Sequence, residues 1–188
     1  MTLIRLFGSR YHPADATGAR LQGGRWNSPG HGVLYASSSL ALACLEVLVH
    51  LRDMRLIPPG YRFCEVAVPD GLIISWTLAS KETHALIESP ILSREFGDRW
   101  LGDAAIKPLT NVKQKLREVS RARGESPEKV LELERRIRVG KRKITPVQAV
   151  PSVIIPREMN YLINPAHPQF DQLRFGEPMP FRFDPRLL

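Results

Sequence analysis

Apolar and polar residues follow strand-like spacing in some stretches of the chain and helical spacing in others, and this pattern predicts the first part of the fold. Residues 3–6 (LIRL) and 32–36 (GVLYA) are short apolar runs typical of strands. Residues 7–32 are rich in Gly, Pro, Asp and Asn and predict a loop. Three serines at 37–39 offer an N-cap, after which Leu40–Leu51 predicts an almost wholly apolar helix.

The rest of the chain continues with strands that are interrupted by helices. Residues 61–69 (YRFCEVAVP) alternate and residues 72–76 (LIISW) follow an Asp-Gly turn, so both predict strands. We further predict a short helix at 93–101, extended chain at 147–156 and 160–165, a short helix near 168–174 and a last strand at 180–183. Because no regular strand–helix–strand rhythm is present, we expect one α+β domain, residues 1–188, with mixed or antiparallel sheets.

Positive charge is concentrated in one segment. The chain has a net charge of +8, and residues 107–143 alone hold 13 basic and 5 acidic residues, which is also +8 (13 − 5). Apolar residues recur there at helical spacing on both sides of Gly124–Pro127, so we predict a basic helical hairpin inserted at about 103–145. It could be a lid, an interface for a partner or second subunit, a nucleic-acid contact or a solvated surface hairpin. Because the segment has no aromatic residue for base stacking, direct nucleic-acid binding is disfavoured.

Cysteine and histidine usage argues against disulfides and metal sites. Cys44 and Cys64 lie inside apolar segments, as core thiols of a reducing compartment do. The five histidines are scattered and no Cys/His spacing resembles a zinc site, so we expect metal-free chemistry. We find no targeting segment and no apolar run near the roughly 20 residues of a membrane span, so we expect a cytoplasmic protein.

Two charged residues are candidates for chemistry. Glu46 is the only ionisable side chain of Leu40–Val49 apart from a thiol, and a buried carboxylate needs a partner or a cleft. Its structural alternative is a solvated helix edge shared with His50. Arg25 follows two glycines, where a guanidinium suits a phosphate or a carboxylate. Its structural alternative is a salt bridge, for which Glu46 itself is one candidate partner.

Three uncharged residues are weaker candidates. Tyr35 ends a strand and could stack on a planar ring, although a core aromatic is the simpler explanation. Ser152, in the apolar stretch VPSVIIP, could orient a substrate or a carboxylate, or its hydroxyl could bond neighbouring backbone. Asn160, in NYLINP, is most simply a turn residue.

Three long stretches together resemble the RES domain family: GGRWNSPGHGVLYASSSLALACLEVLVHL, VPSVIIPREMNYLINPAHPQF and PFRFDPRLL. The family is named for an Arg, a Glu and a Ser, which correspond here to Arg25, Glu46 and Ser152. The resemblance covers nearly the full chain, and its motifs are long and specific. One departure is the basic insertion, since 48 residues separate Leu101 from Val150 where the family pattern has about twenty.

The resemblance implies a fold like that of ADP-ribosyltransferases, with a cleft between sheets that binds NAD as the substrate. Arg25 would hold the diphosphate, Tyr35 would stack on the nicotinamide, and Glu46 would stabilise an oxocarbenium-like ribose. Ser152 would hold Glu46 or the substrate. Tyr11, in the loop before the arginine, and Asn160 complete the residues expected to contact NAD.

The resemblance also implies a toxin of an Xre–RES pair, in which an antitoxin with a helix-turn-helix region blocks the active site. We expect an NAD-degrading toxin that cleaves the nicotinamide–ribose bond by hydrolysis or phosphorolysis. A transferase that attaches ADP-ribose to a protein would use the same pocket and is the alternative. A nucleic-acid-binding or RNase-like toxin that uses the basic hairpin is a third hypothesis, and a homodimer is left open.

Overall fold

The computed structural model describes residues 1–50, 60–76, 81–102 and 145–187. The predicted basic hairpin at about 103–145 lies outside the described residues, apart from Thr145 at its end.

Eight strands and four helices make up the described part of the chain. The strands are β1 (Thr2–Gly8), β2 (Leu34–Ser37), β3 (Tyr61–Ala67), β4 (Ile73–Ser75), β5 (Val147–Pro151), β6 (Met159–Ile163), β7 (Arg174–Phe175) and β8 (Met179–Phe181). The helices are α1 (Thr17–Gln22), α2 (Leu40–His50), α3 (Lys81–Glu88) and α4 (Pro90–Leu101). None of these four helices is both long enough and apolar enough to cross a bilayer.

The eight strands form one mixed sheet in the order β4-β5-β6-β2-β1-β3-β7, and β8 also pairs with β3. All pairs are antiparallel except β4 with β5, which are parallel. The predicted α+β class with a mixed sheet is confirmed. Strands that are far apart in sequence become neighbours here, since β6 lies between β5 and β2.

The two faces of the sheet have different partners. One face carries a core that includes Leu3, Leu34, Val66 and Ile163. Side chains on a strand alternate between faces, so the register places Val150, Asn160, Ser37 and Ile4 in one row across the opposite face. That second face packs against a smaller core made with α3 and α4, whose members include Trp26, Leu86, Leu92, Val150 and Leu162. Helix α2 packs against β1 and β2.

Most of the predicted helices and strands are present, and serine caps explain where two of the helices begin. Helix α2 begins where expected, because the Ser39 hydroxyl accepts a hydrogen bond from the backbone N–H of Leu42 at 3.1 Å. Helix α4 begins at Pro90 and not at residue 93, because Ser89 caps it by accepting from Leu92 N–H at 3.3 Å.

Other predictions were incomplete or wrong. The predicted loop 7–32 contains α1, and α3 was not predicted. In place of the helix near 168–174 there is a single 3-10 turn at Phe170–Gln172, followed by β7. The last strand is Met179–Phe181, slightly earlier than predicted.

Candidate active site

The carboxylate of Glu46 on α2 lies at the C-terminal end of β5 and the N-terminal end of β6. Its Oε1 accepts a hydrogen bond from the Ser152 hydroxyl, with 2.8 Å between the oxygens, and another from the Asn160 amide nitrogen. Within the described residues, Oε2 has no hydrogen-bond partner. One carboxylate oxygen is therefore held by two neutral donors, and the other is available to a ligand.

Ser152 follows β5 and is fully buried. Its Oγ accepts hydrogen bonds from the backbone N–H groups of Ile154 and Ile155, each at 3.1 Å. A hydroxyl has two acceptor lone pairs and one proton. Because both lone pairs are occupied, the proton is directed to Glu46, and the oxygen has no free lone pair with which to act as a nucleophile.

Asn160 links the Glu46 carboxylate to β2, the strand that pairs with β6. In the β2–β6 register Asn160 lies opposite Ser37, and the Ser37 hydroxyl donates to Asn160 Oδ1 at 2.8 Å. An amide oxygen turned towards Glu46 would be repelled, so the carboxylate fixes the amide with its nitrogen inward. Asn160 is thus a strand residue, and its alternative explanation as a turn residue is wrong.

A further contact ties the start of α2 to the segment that carries Ser152. The Ser39 hydroxyl, which caps α2, donates to Glu158 Oε2 at 3.0 Å. The backbone N–H of Ser152 donates to the carbonyl of Glu158 at 2.8 Å. Glu158 therefore restricts movement of the Glu46 helix relative to Ser152.

Arg25 lies in the arginine loop, which we define as residues 23–28. Gly23 has a φ of 71°, in the left-handed region that glycine adopts without strain. A Cβ on Gly24 would lie 2.6 Å from the Tyr35 hydroxyl, so a larger residue would collide there. The first glycine is needed for its backbone dihedral and the second for its close approach to Tyr35.

Only one nitrogen of the Arg25 guanidinium forms a hydrogen bond within the described residues. Its Nη2 donates to the carbonyl of Ile87 at the end of α3, while its Nε is buried and has no partner within the described residues. Burial lowers the pKa of Arg25, and the negative charge of Glu46 opposes that change. No direct ion pair joins Arg25 to Glu46 among the described residues, so the structure does not show the salt bridge considered as a structural alternative.

The Tyr35 hydroxyl is hydrogen-bonded to two residues of the arginine loop. Its hydroxyl donates to Asn27 Oδ1 at 2.7 Å and accepts from the backbone N–H of Trp26 at 3.3 Å. Burial raises the pKa of Tyr35 well above its usual range, so the hydroxyl keeps its proton. Asn27 in turn donates to the carbonyls of Ala19 and His31, both at 2.8 Å. Stacking of the Tyr35 ring on a nicotinamide stays a prediction.

Helix α4 supports the other side of the arginine loop. Asp98 accepts hydrogen bonds from the backbone N–H and the hydroxyl of Ser28, both at 2.6 Å. A Cβ on Gly97 would lie 1.6 Å from the carbonyl oxygen of Trp26, so the loop packs directly on the helix backbone. Sequence reasoning missed this contact. A glycine inside the predicted helix 93–101 was the available signal, because it costs helix stability and often marks a close approach.

Tyr11 lies apart from the other predicted residues. Its side chain is exposed, and the Arg10 guanidinium lies 5.5 Å from the centre of its ring. The structure joins Glu46, Ser152 and Asn160 by hydrogen bonds, and joins Tyr35 to the loop of Arg25. Among the described residues Tyr11 forms no hydrogen bond with either group, so a role for Tyr11 in binding NAD stays a prediction.

Glu46 is an anion and Arg25 a cation, and each has unused hydrogen-bonding capacity within the described residues. Such a pair suits a ligand that develops positive charge at one point and carries an anionic group at another. His, Cys, Asp and Glu side chains do not gather in groups of three anywhere in the described ranges, so no metal site is found there.

Comparison with known proteins gives consistent results. The model of the RES domain matches residues 2–109. A protein of Sphingobium sp. (strain YBL2) named Prs ADP-ribosylating toxin is 30% identical to this chain, over 96% of this chain and 91% of its own length. Toxin Res of Yersinia enterocolitica is 29% identical over 100% of this chain and 99% of its own.

A crystal structure of the M. tuberculosis MbcT-MbcA toxin-antitoxin complex contains a similar fold. The TM-score is 0.56 over 96% of this chain and 83% of that chain, at 14% sequence identity. At this level of identity the likeness concerns the fold alone.

Proposed function

Because this chain belongs to the RES domain family, we propose that it is the toxin of a bacterial toxin–antitoxin pair and consumes NAD by cleaving the nicotinamide–ribose bond. The names of the relatives, Toxin Res and Prs ADP-ribosylating toxin, support the first part. One observation carries the second part: Ser152 and Asn160 both donate to a single oxygen of Glu46, and the other oxygen has no partner among the described residues.

Glu46 would stabilise the transition state of bond cleavage. When the bond breaks, both of its electrons leave with the nicotinamide nitrogen, and positive charge develops on the ribose. The unpartnered Oε2 of Glu46 can face that charge. Because Oε1 is already bound by Ser152 and Asn160, the carboxylate needs little reorientation during the reaction.

Arg25 would bind the diphosphate of NAD. Its Nε is a buried donor without a partner in the described residues, and such a donor costs about 1–3 kcal/mol. A phosphate oxygen would recover that cost and would match the planar geometry of the guanidinium. The support of the arginine loop by Tyr35 and Asp98 would keep the guanidinium in place for the substrate.

Water or phosphate would accept the ADP-ribose in this proposal. Ser152 is unsuited as an acceptor, because both of its lone pairs are occupied. Transfer to another protein is the second candidate, and it is favoured by the name of the Sphingobium relative. The two candidates share the same bond cleavage and differ in the nucleophile that follows.

We further propose that the protein acts in the cytoplasm and is neutralised by an Xre-family antitoxin with a helix-turn-helix region. The MbcT-MbcA structure, which is that of a toxin-antitoxin complex, supports an antitoxin partner. Co-purification with the product of a neighbouring small gene, followed by loss of NAD cleavage in the complex, tests this partner.

Release of free nicotinamide tests the proposed chemistry. Glu46→Gln keeps the size of the side chain but removes its charge, so kcat should fall by roughly 10²–10³. Glu65→Gln, on the exposed side of β3, is the matched control and should leave kcat unchanged. If folded wild-type protein leaves NAD intact at stoichiometric concentration, the proposal is wrong.

NAD labelled in its adenylate half separates the two candidates in a bacterial lysate. Free ADP-ribose or its phosphate ester supports hydrolysis or phosphorolysis, whereas a discrete labelled protein band supports transfer. The Glu46→Gln variant should give each of these products roughly 10²–10³ times more slowly.

A further inference from the structure

Arg94 lies on α4 beside the arginine loop, and its side chain is exposed. Its Nε donates at 3.2 Å to the carbonyl of Gly24, which belongs to the peptide bond that leads into Arg25. This bond holds one edge of the guanidinium against the loop. The terminal nitrogens Nη1 and Nη2 have no hydrogen-bond partner among the described residues, so Arg94 offers four free N–H donors next to Arg25.

The positive charge of Arg94 is not neutralised within the described part of the chain. Arg99, on the same helix, pairs with Glu95 at 3.3 Å. Asp98, one turn after Arg94, instead accepts hydrogen bonds from Ser28 and lies near His31. Arg94 forms no ion pair with any described residue, and this leaves an unpaired cation at the edge of the arginine loop.

A diphosphate bound at the proposed site would need a second positive charge beside Arg25. Arg25 and Glu46 carry one charge each, of opposite sign, and Nη2 of Arg25 is partly occupied by Ile87. A diphosphate carries two negative charges, which one guanidinium cannot balance while a carboxylate lies nearby. Two guanidinium groups can bind both phosphates, since each matches two phosphate oxygens.

We propose that Arg94 is a second anion-binding residue and that Arg25 and Arg94 together hold the diphosphate of the substrate. The identity of the anion rests on the proposed function. The anion site itself needs only the two guanidinium groups and the loop between them.

Steady-state kinetics with two substrates, one that contains a diphosphate and one that lacks it, test this assignment. Arg94→Gln should raise KM for NAD about tenfold or more, because a charge-assisted contact is lost, while kcat changes little. Arg94→Lys should fall between that variant and wild type, because it keeps the charge and loses the planar fork. Nicotinamide riboside, which has no phosphate, should be cleaved equally by all three.

The control is Arg99→Gln, which removes the same charge from the same helix and should leave KM for NAD unchanged. An unchanged KM for NAD in Arg94→Gln would overturn the assignment. Equal losses with NAD and with nicotinamide riboside would also overturn it, because they would indicate that Arg94 only positions the arginine loop.

Calorimetric binding of ADP-ribose separates failure of this inference from failure of the proposed function. Arg94→Gln should weaken ADP-ribose binding about tenfold. If the wild type leaves NAD intact but shows this loss, the NAD-cleaving function fails and the Arg94 site stands. If ADP-ribose binds both proteins equally, or does not bind the wild type, the Arg94 assignment is wrong whether or not NAD is cleaved.

Discussion

The Ser152 hydroxyl donates its one hydrogen bond to Glu46, because both lone pairs of its oxygen already accept backbone N–H groups. The distance to Glu46 Oε1 is 2.8 Å, and the two backbone nitrogens lie at 3.1 Å. The same side chain therefore closes a turn of the backbone and orients a carboxylate. Its structural and functional contributions should be lost together.

Replacement of Ser152 by alanine tests this double role. Ser152→Ala removes the donor to Glu46 and leaves the N–H groups of Ile154 and Ile155 without their acceptor. We expect a loss of about 1–3 kcal/mol in the free energy of unfolding, measured in urea, and a lower kcat for nicotinamide release. Ser38→Ala, at an exposed serine, is the control. Full stability of Ser152→Ala would contradict this pattern of hydrogen bonds.

Replacement of Asn160 by aspartate tests how Glu46 is held. Asn160→Asp replaces a donor by a second carboxylate next to Oε1, and two adjacent carboxylates repel each other. We expect a large loss of kcat at neutral pH, with partial recovery on acidification, because one shared proton removes the repulsion. A pH profile of nicotinamide release measures this. Activity equal to wild type at pH 7 would show that Asn160 does not hold Glu46 during the reaction.

Replacement of Tyr35 by phenylalanine separates support of the arginine loop from ring stacking. Tyr35→Phe keeps the ring but leaves Asn27 Oδ1 and Trp26 N–H without their partner. If loop support is the main role, KM for NAD should rise and the free energy of unfolding should fall by about 1–2 kcal/mol. If stacking is the whole contribution, Tyr35→Phe should match the wild type. Tyr61→Phe, on β3 where it pairs with β8, is the control.

Replacement of Gly97 by alanine tests the docking of the arginine loop on α4. The added Cβ would lie 1.6 Å from the carbonyl oxygen of Trp26, so the loop or the helix must move. We expect destabilisation of about 1–3 kcal/mol or more and a weaker affinity for ADP-ribose. Gly71→Ala is the matched control, because a Cβ there meets nothing within 4 Å. Similar results for the two variants would argue against tight packing at Gly97.

Deletion of the basic segment tests whether the chain is one domain with an insertion. The indole N–H of Trp100 donates to the carbonyl of Thr145 at 2.9 Å, so the chain leaves and rejoins the described structure at neighbouring points. Replacing residues 103–144 with a short Gly/Ser linker should therefore preserve cooperative unfolding and nicotinamide release. An unfolded or inactive product would show that the segment is part of the domain or of the site.

Local signals explain which parts of the fold could be predicted from the sequence. Helix α2 has a serine cap and an apolar run that only Glu46 interrupts before His50, and β3 alternates, so both were predicted. Helix α1 has six residues and α3 is largely polar, so neither produces a strong periodic signal.

The candidate site was predicted only in part, for a different reason. Glu46 and Ser152 stand out as polar residues in apolar segments, but their contact joins positions 106 residues apart. That contact depends on the placement of β6 between β5 and β2, which no local pattern encodes. Ser37, Asn27 and Asp98 were missed because their importance lies entirely in the residues that the fold brings to them.

The pairing of Ser37 with Asn160 also has a consequence for newly made protein. Arg25 and Glu46 leave the ribosome before the donors to Glu46, which come from β6 and the end of β5, more than 100 residues later. A slip of β6 by one residue would turn Asn160 to the other face of the sheet. A chain in which β6 is not yet made, or is mispaired, would therefore lack the hydrogen bonds that hold Glu46.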